Sequence, residues 1–367
     1  MRTIAVIGGG PAGATVARLL ALRQYRVVLL DASSGPEHKV GECLPPNIRP
    51  LLEKLQLQHL LDKHHLSSYG HCSVWGSNAH KEEDFITTPY GNGVHIDRQA
   101  FEHSLAVEAM QAGVEWHYGY KVEEVEFQDN QWLIRSNAET EQEFFADFLI
   151  DASGRRAVSA RYFGIKRVQS DNLVGVTAFV PMNSRNRRTL VESTPGGWWY
   201  SAVLPDDKGV VAFMTDADLV KPLNANHKEG WLAQLNQTVF TKKRLYCLTD
   251  NPLIEVKVKP ASSSRLEHIT ARQWLCVGDS ACTYDPVSSY GITAAIGAAY
   301  YAACAIHDSL EGRQDALLAY TCVMEQTYQH YLNAIAGSYA QERRWEDEPF
   351  WKRRYIAEYE IGGKILA

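Results

Sequence analysis

The sequence predicts an α/β fold in which a Rossmann-like dinucleotide-binding domain is interleaved with an antiparallel-sheet domain and followed by a helical carboxyl terminus. Three observations predict it. The apolar run Thr3 to Ile7 leads directly into Gly8-x-Gly10-x-x-Gly13 and a helical segment. Two further apolar runs, Phe148 to Ile150 and Trp274 to Val277, reach similar strand ends far downstream, at Asp151 and at Gly278-Asp279. Between them lie segments that alternate with period two, as half-buried antiparallel strands do.

The first unit carries the most information. Gly8 permits a tight turn, Gly10 lets backbone approach a pyrophosphate, and Gly13 lets helix and strand pack closely. Pro11 and Ala12 stand where the helix opens and its free N–H groups attract phosphate. Ala14 to Leu22 is the helix, and Val27 to Leu30 is a second buried strand ending on Asp31, placed to accept from a ribose hydroxyl. Strand, glycines, helix, strand and terminal acid together make a Rossmann-like dinucleotide site.

Ala32 to Val40 follows as a loop, and Pro45 and Pro46 hold Gly41-Glu42-Cys43-Leu44-Pro45-Pro46 extended. Asn47 to His65 has helical spacing. Ser67 to His95 is turn-rich with short strands, its Lys81 to Asp84 run reading as a solvated turn. Asp97 to Ala112 is an amphipathic helix with Arg98 in its first turn and Phe101, Leu105 and Met110 on its apolar side. Short strands follow at Val114 to Trp116, Lys121 to Phe127 (which holds Val122, placed with the cofactor-binding residues), Gln131 to Ser136 and Phe144 to Ile150.

Val174 to Val180, Thr189 to Glu192, Trp198 to Leu204 and Gly209 to Thr215 form the antiparallel sheet, with Leu253 to Lys259 completing it. Alternation divides Trp198-Trp199-Tyr200 between the core and a substrate pocket. From Ile292 the chain reads as helical nearly to its end, with Gly312 between two long helices. The expected organisation is a dinucleotide-binding domain from 1–66, 95–168 and 265–320, a substrate domain from 67–94 and 169–264, and a helical region at 321–367.

Composition narrows the function. The 367 residues are 45% hydrophobic and 22% charged, ordinary for a globular protein. A net charge of -6 leaves no basic footprint for nucleic acid. No apolar stretch reaches the length of a membrane span; Ile292 to Ile306 is Ala-rich and broken by Tyr300-Tyr301. The first apolar run is already a nucleotide-site strand, so no signal peptide is expected. Seven scattered cysteines without C-x-x-C favour free thiols in a reducing cytoplasm, and the thirteen histidines show no metal-ligand spacing, so no metal is expected.

Two further signatures specify FAD. Asp151-Ala152-Ser153-Gly154-Arg155 and Gly278-Asp279-Ser280-Ala281 each end a buried strand, where ligands of open α/β sheets bind. Asp279 is placed to meet ribitol hydroxyls. Pro286 bends the chain before Gly291-Ile292, which open a helix able to stabilise negative charge on a reduced flavin ring. In this order, the motifs resemble the flavin monooxygenases of the aromatic-hydroxylase type, a superfamily that also holds tryptophan halogenases and geranylgeranyl reductases. The resemblance covers nearly the whole chain and implies flavin contacts at Gly8, Gly10, Gly13, Asp31, Arg98, Asp151, Asp279 and Gly291. It also implies oxygen chemistry carried by the cofactor. Without a second dinucleotide fingerprint, electrons would come from a reduced nicotinamide that docks transiently or from a separate flavin reductase.

Within the superfamily, tryptophan halogenases share the Gly-Glu and prolines of Gly41 to Pro46. They also carry a lysine some thirty residues further on and a W-x-W-x-I-P motif. Tyr69 to Trp75 holds no lysine, Lys63 reads as a surface charge, and Tyr200 and Ala202 stand where tryptophans would be needed. The Gly41 to Pro46 segment, Asp285-Pro286-Val287-Ser288-Ser289-Tyr290-Gly291 and Arg343-Arg344-Trp345 with Pro349-Phe350-Trp351 are instead similar to flavoproteins that mature tryptophylquinone cofactors of amino-acid oxidases. That resemblance implies hydroxylation of a tryptophan in a partner, the oxidase precursor. A small-molecule hydroxylase or halogenase and a flavin-dependent prenyl reductase are the alternatives. Glu42 is the candidate catalytic residue, with positioning of the flavin-side loop as its other reading. Cys43 reads as a packed thiol, and the tail from Arg343 to Tyr359 docks on its own domain or meets a partner.

Overall fold

The computed structural model describes residues 1–35, 39–62, 64–136, 142–182, 185–245 and 254–355. Its first sheet has six strands in the order Thr270–Ala271, Trp274–Cys276, Phe148–Asp151, Thr3–Ile7, Arg26–Asp31 and Glu115–Tyr118. All neighbours are parallel except Thr270–Ala271, which runs antiparallel to its partner. The interior of Thr3–Ile7 and Arg26–Asp31 is fully apolar and buried, as a parallel strand covered on both faces requires. The Pro11–Ala21 helix packs on the Gly291–Leu310 and Arg98–Gln111 helices. Their Ala-rich faces (Ala14, Ala17, Ala299, Ala302, Ala303) are buried and let the backbones approach.

The second sheet has seven strands: Lys257–Pro260, Leu173–Pro181, Lys208–Asp216, Gly197–Val203, Thr189–Thr194, Gly70–Val74 and Lys81–Asp84. One face carries Val176, Ala178, Val180, Trp199, Val211 and Phe213 into a core closed by Trp231. The Trp231 indole donates to the Val176 carbonyl at 3.0 Å, so this buried ring leaves no polar atom unpaired. The opposite face carries Gly175, Thr177, Ala212, Met214 and Tyr200 toward the first sheet. Trp199 and Tyr200 therefore divide as alternation dictates. Trp198 shares the face of Tyr200 but is roofed by Tyr339, Phe350 and Trp351.

The chain's final described segment docks on its own protein. A helix at 349–355 buries Phe350 and Trp351. The Trp351 indole donates to the Thr194 carbonyl at 2.9 Å, and Arg354 pairs with the buried Asp216 at 2.9 Å. Residues 356–359 of this tail lie outside the described residues, as do Lys63 and Leu253.

Several expectations need correction. Asn47 to His65 is not one helix: Ile48–Lys54 ends where Gln56 adopts φ 57°, and Leu57 donates back to Leu52, a left-handed cap. A short 3-10 turn, Gln58–Leu61, follows, and His65 begins a strand. Lys81 to Asp84 is the exposed outer strand of the second sheet rather than a turn, its charges suiting an edge. Phe144 to Ile150 is two strands in different sheets, divided at Asp147, whose carboxylate accepts from Thr3 N at 2.7 Å. Met110 is exposed, and Ala109 takes its expected place in the core. The last strand of the second sheet begins at Lys257.

Candidate active site

Two cavities open at the carboxyl ends of the first sheet's parallel strands and meet at Gly10, Lys39, Ala152 and Gly154. One, of about 670 Å³, is bounded by Gly8, Gly10, Asp31, Val122, Ser153 and Arg161. The other, of about 460 Å³, runs from Gly10, Pro11 and Ala12 past Arg98 and Asp279 to Pro286, Gly291 and Ile292, with the second sheet as its far wall.

The glycines divide by task. A Cβ on Gly10 would meet no heavy atom within 4 Å, so the space before it is free for a ligand. On Gly13 it would lie 1.9 Å from the Gly8 carbonyl oxygen, and on Gly8, at φ +102°, 2.5 Å from the Ala152 carbonyl oxygen. These two exist for close packing and the turn. Gly278, at φ +65°, packs under Ala12 and lines neither cavity.

Other sequence-derived residues act through their neighbours. Asp151 lines neither cavity: its buried carboxylate accepts from the backbone and hydroxyl of Ser153 and of Ser159, at 2.6 to 3.0 Å. It shapes the turn that presents Ala152 and Gly154. Arg98 faces the cavity, pairs with the buried Glu102 and donates to the Val40 carbonyl at 2.6 Å, fastening the loop before Glu42. Lys39 reaches the same Glu102 at 2.8 Å. Asp279 opens on the cavity near Arg155, at 3.9 Å, and the surrounding protein raises its pKa.

Glu42 is buried in the cavity wall, and its Oε1 has no hydrogen-bond partner among the described residues. Burial pushes its pKa up to about 7, with Arg98 pulling the other way. Beside it, Cys43 is raised to about 12 by burial and the Glu42 charge, which fits the packed-thiol reading. His95, paired across strands with Cys43, is held neutral by burial at about 4.

A further buried carboxyl on the cavity wall is Asp285. Its Oδ2 accepts from Tyr339 at 2.6 Å, its Oδ1 from Val287 N at 2.9 Å, and its own N–H donates to Tyr331 at 2.6 Å. Burial and the Asp171 charge raise it to about 7. Asp285 stands in the Asp285 to Gly291 motif, where spacing alone assigns it no role. Gly175, Thr177, Met214 and Lys259 were also missed, although strand alternation from Tyr200 could have found the first three. Cys72, His80 and Glu82 bring ligand atoms within 4.8 Å of one another, unforeseen from spacing. Arg244 and Arg188 face that thiol, and their charge opposes a cation there.

An open approach at Gly10, an acid at the end of the second strand, Asp279 at mid-cavity and the Gly291 helix amino end suit an extended dinucleotide. The match to known proteins agrees. A model of the FAD-binding domain family spans residues 1–331. The chain belongs to this family.

Among its relatives is LodB of Marinomonas mediterranea, which carries the name of an FAD-dependent oxidoreductase. The two are 31% identical over 95% of this chain and 96% of LodB. Tryptophan 2-halogenase of Chondromyces crocatus is 26% identical over 98% of this chain and 72% of the halogenase. By fold, the chain resembles CmlS, a flavin-dependent halogenase, with a TM-score of 0.85 at 24% identity, covering 100% of this chain and 70% of CmlS. It also resembles QhpG, a peptidyl tryptophan dihydroxylase essential for tryptophylquinone cofactor biogenesis, with a TM-score of 0.81 at 24% identity, covering 96% and 78%. This family member is a flavin-dependent oxidoreductase, and FAD is its cofactor. Among the described residues, no helix is long and apolar enough to cross a membrane.

Proposed function

We propose that this chain is an FAD-dependent monooxygenase that hydroxylates a tryptophan side chain held in a partner protein, a step of tryptophylquinone biogenesis. One observation carries the reading: the cavity wall opposite the proposed cofactor residues is a sheet face of mostly small and aliphatic side chains, with its one charge, Lys259, on the outer strand. Gly175, Ala212, Val210 and Met214 leave room for a planar ring, and Thr177 and Tyr200 are its polar members. No charged clamp for a free amino acid stands on that floor; Lys259 is at its edge. QhpG lends support by analogy, since its own substrate is a peptidyl tryptophan.

FAD, when bound and reduced, supplies the activation of oxygen, with electrons drawn from a reduced nicotinamide directly or through a flavin reductase. Gly10, Pro11 and Ala12 would hold its pyrophosphate, Asp31 and Val122 the adenosine side, Asp279 the ribitol, and Pro286, Gly291 and Ile292 the ring edge. The chain's own residues do the rest. The apolar sheet floor orients the indole and keeps water away. Glu42, with an unpartnered Oε1 and a pKa near neutrality, can hold or take a proton at that atom.

Co-expression with a quinone-cofactor oxidase precursor tests this. The expected result is added oxygen on one tryptophan-containing peptide by mass spectrometry. An unmodified precursor together with rapid turnover of free tryptophan or a phenol would replace this reading with a small-molecule hydroxylase.

A further inference from the structure

The cavity floor does not end where the cavity ends. The strand pairings set side chains in transverse rows on one face of the second sheet. Lys259 stands opposite Gly175, which stands opposite Met214; Lys257 stands opposite Thr177, which stands opposite Ala212. In a third row Phe179 faces Val210. Directly opposed residues point to the same side, so Lys257, Lys259 and Phe179 continue the face that Gly175, Thr177, Met214, Ala212 and Val210 build inside the cavity. Lys257–Pro260 is the outer strand among the described residues, and all four of its residues are exposed.

Phe179 is 42% exposed, an aromatic ring at the margin of a substrate cavity in contact with water. Lys257 has Glu255 at 3.1 Å, both exposed. Lysines on an edge strand also hinder sheet-to-sheet association. That role needs charge on the strand but no particular face, whereas both lysines here stand on the cavity side. Two lysines against the one glutamate, Glu255, leave this edge with a net positive charge in a chain of net charge -6.

We propose that Lys257, Lys259 and Phe179 form the docking surface for an acidic segment of the polypeptide whose tryptophan enters the cavity. The proposal rests on the tryptophan-hydroxylase reading and names what that substrate must carry. The two ammonium groups meet carboxylates flanking the tryptophan, and Phe179 covers an apolar neighbour. Long-range attraction of this kind governs encounter and register more than total affinity.

Binding is measured without turnover, by fluorescence anisotropy of labelled synthetic peptides and the FAD-loaded protein. One peptide carries a central tryptophan among Asp and Glu, and a second of equal length carries it among Ser and Gly. The acidic peptide should bind about tenfold tighter at low salt, and the gap should close as ionic strength rises to about 0.15 M, where the Debye length falls to ~8 Å. Lys257→Glu with Lys259→Glu should abolish the preference, Lys81→Glu on the sheet's opposite edge should keep it, and Phe179→Ser should weaken both peptides. Flavin absorbance and Tm verify folding, and Lys259→Ala alone replaces the double variant if that misfolds. Equal affinity for the two peptides, or an acidic preference that survives charge reversal, overturns the docking surface. Such a result leaves the hydroxylase reading to the precursor experiment; conversely, a precursor that never gains oxygen ends that reading, while the peptide series still decides the docking surface.

Discussion

Replacing Gly10 with valine separates folding from cofactor binding. Gly10 has φ -70° and ψ -177°, an extended conformation that a β-branched residue adopts without strain, and its Cβ would find open space. Its position as the cap of the Pro11–Ala21 helix limits the fold cost to about 1 kcal/mol. The new methyl groups would instead occupy the junction of the two cavities, where the proposed site puts the pyrophosphate. For the native protein, FAD at about 100 times its Kd stabilises by roughly 2.7 kcal/mol. With about 2.1 cal/mol/K of unfolding entropy per residue, a chain of 367 residues should gain roughly 3.5 °C in Tm. Thermal melts with and without added FAD, alongside the flavin absorbance of the purified protein, read both effects. Gly10→Val should melt near the native apoprotein, show no FAD-induced rise and purify colourless. Gly13→Ala is the contrasting control: with its Cβ 1.9 Å from the Gly8 oxygen, it should lower Tm with or without FAD. A yellow Gly10→Val protein whose Tm rises normally with FAD would refute the placement of the pyrophosphate.

Two further outcomes follow from the cavity. Glu42 has a folded-state pKa of about 7 against an ordinary 4.5, so the folded protein holds this proton more tightly and loses stability as pH rises from about 4.5 to 7. Glu42→Gln should therefore stabilise the apoprotein at pH 8 by up to about 3 kcal/mol while changing little at pH 4, and it should remove any limb near pH 7 from the activity profile; denaturant melts at both pH values and a pH-rate series read this. Incubation with FAD, a reductant, oxygen, bromide and free tryptophan should give no brominated product, because the cavity's lysines are Lys39, tied to Glu102, and Lys259, at the rim; a bromine isotope pattern in the product would contradict this.

The parts of this molecule that the sequence made legible are those where one local rule dominates. A glycine turn between an apolar strand and a helix is decided within a dozen residues, so the Gly8 to Asp31 unit and the strand ends at Asp151 and Asp279 could be recognised directly. The helix boundary at Gln56 depends on Leu57 turning inward to the core, and the division at Asp147 on a hydrogen bond to Thr3. Thr3 is far from Asp147 in sequence, and the core that receives Leu57 includes residues as distant as Phe101 and Ile296. Asp151 shows a different limit: its position at a strand end suggested ligand contact, but Ser153 and Ser159, both close in sequence, turn back onto its carboxylate. The wall made by Gly175, Thr177 and Met214 was hidden because small and aliphatic residues carry no chemical signature. Only the register of three strands brings them opposite the cofactor residues.

The pairing order of the first sheet also has a consequence for synthesis. Thr3–Ile7 pairs with Phe148–Asp151, and that strand pairs in turn with Trp274–Cys276. A ribosome must therefore make most of the chain before the apolar edge of Phe148–Asp151 can be covered, and still more before the Gly291–Leu310 helix can pack on Pro11–Ala21. Pairings of such long sequence separation form slowly and leave sticky strand edges open meanwhile. Nascent chains stalled before Trp274 should be strong clients of chaperones. Cells short of riboflavin should accumulate the protein as aggregate, since FAD favours only the state in which all these distant segments have met.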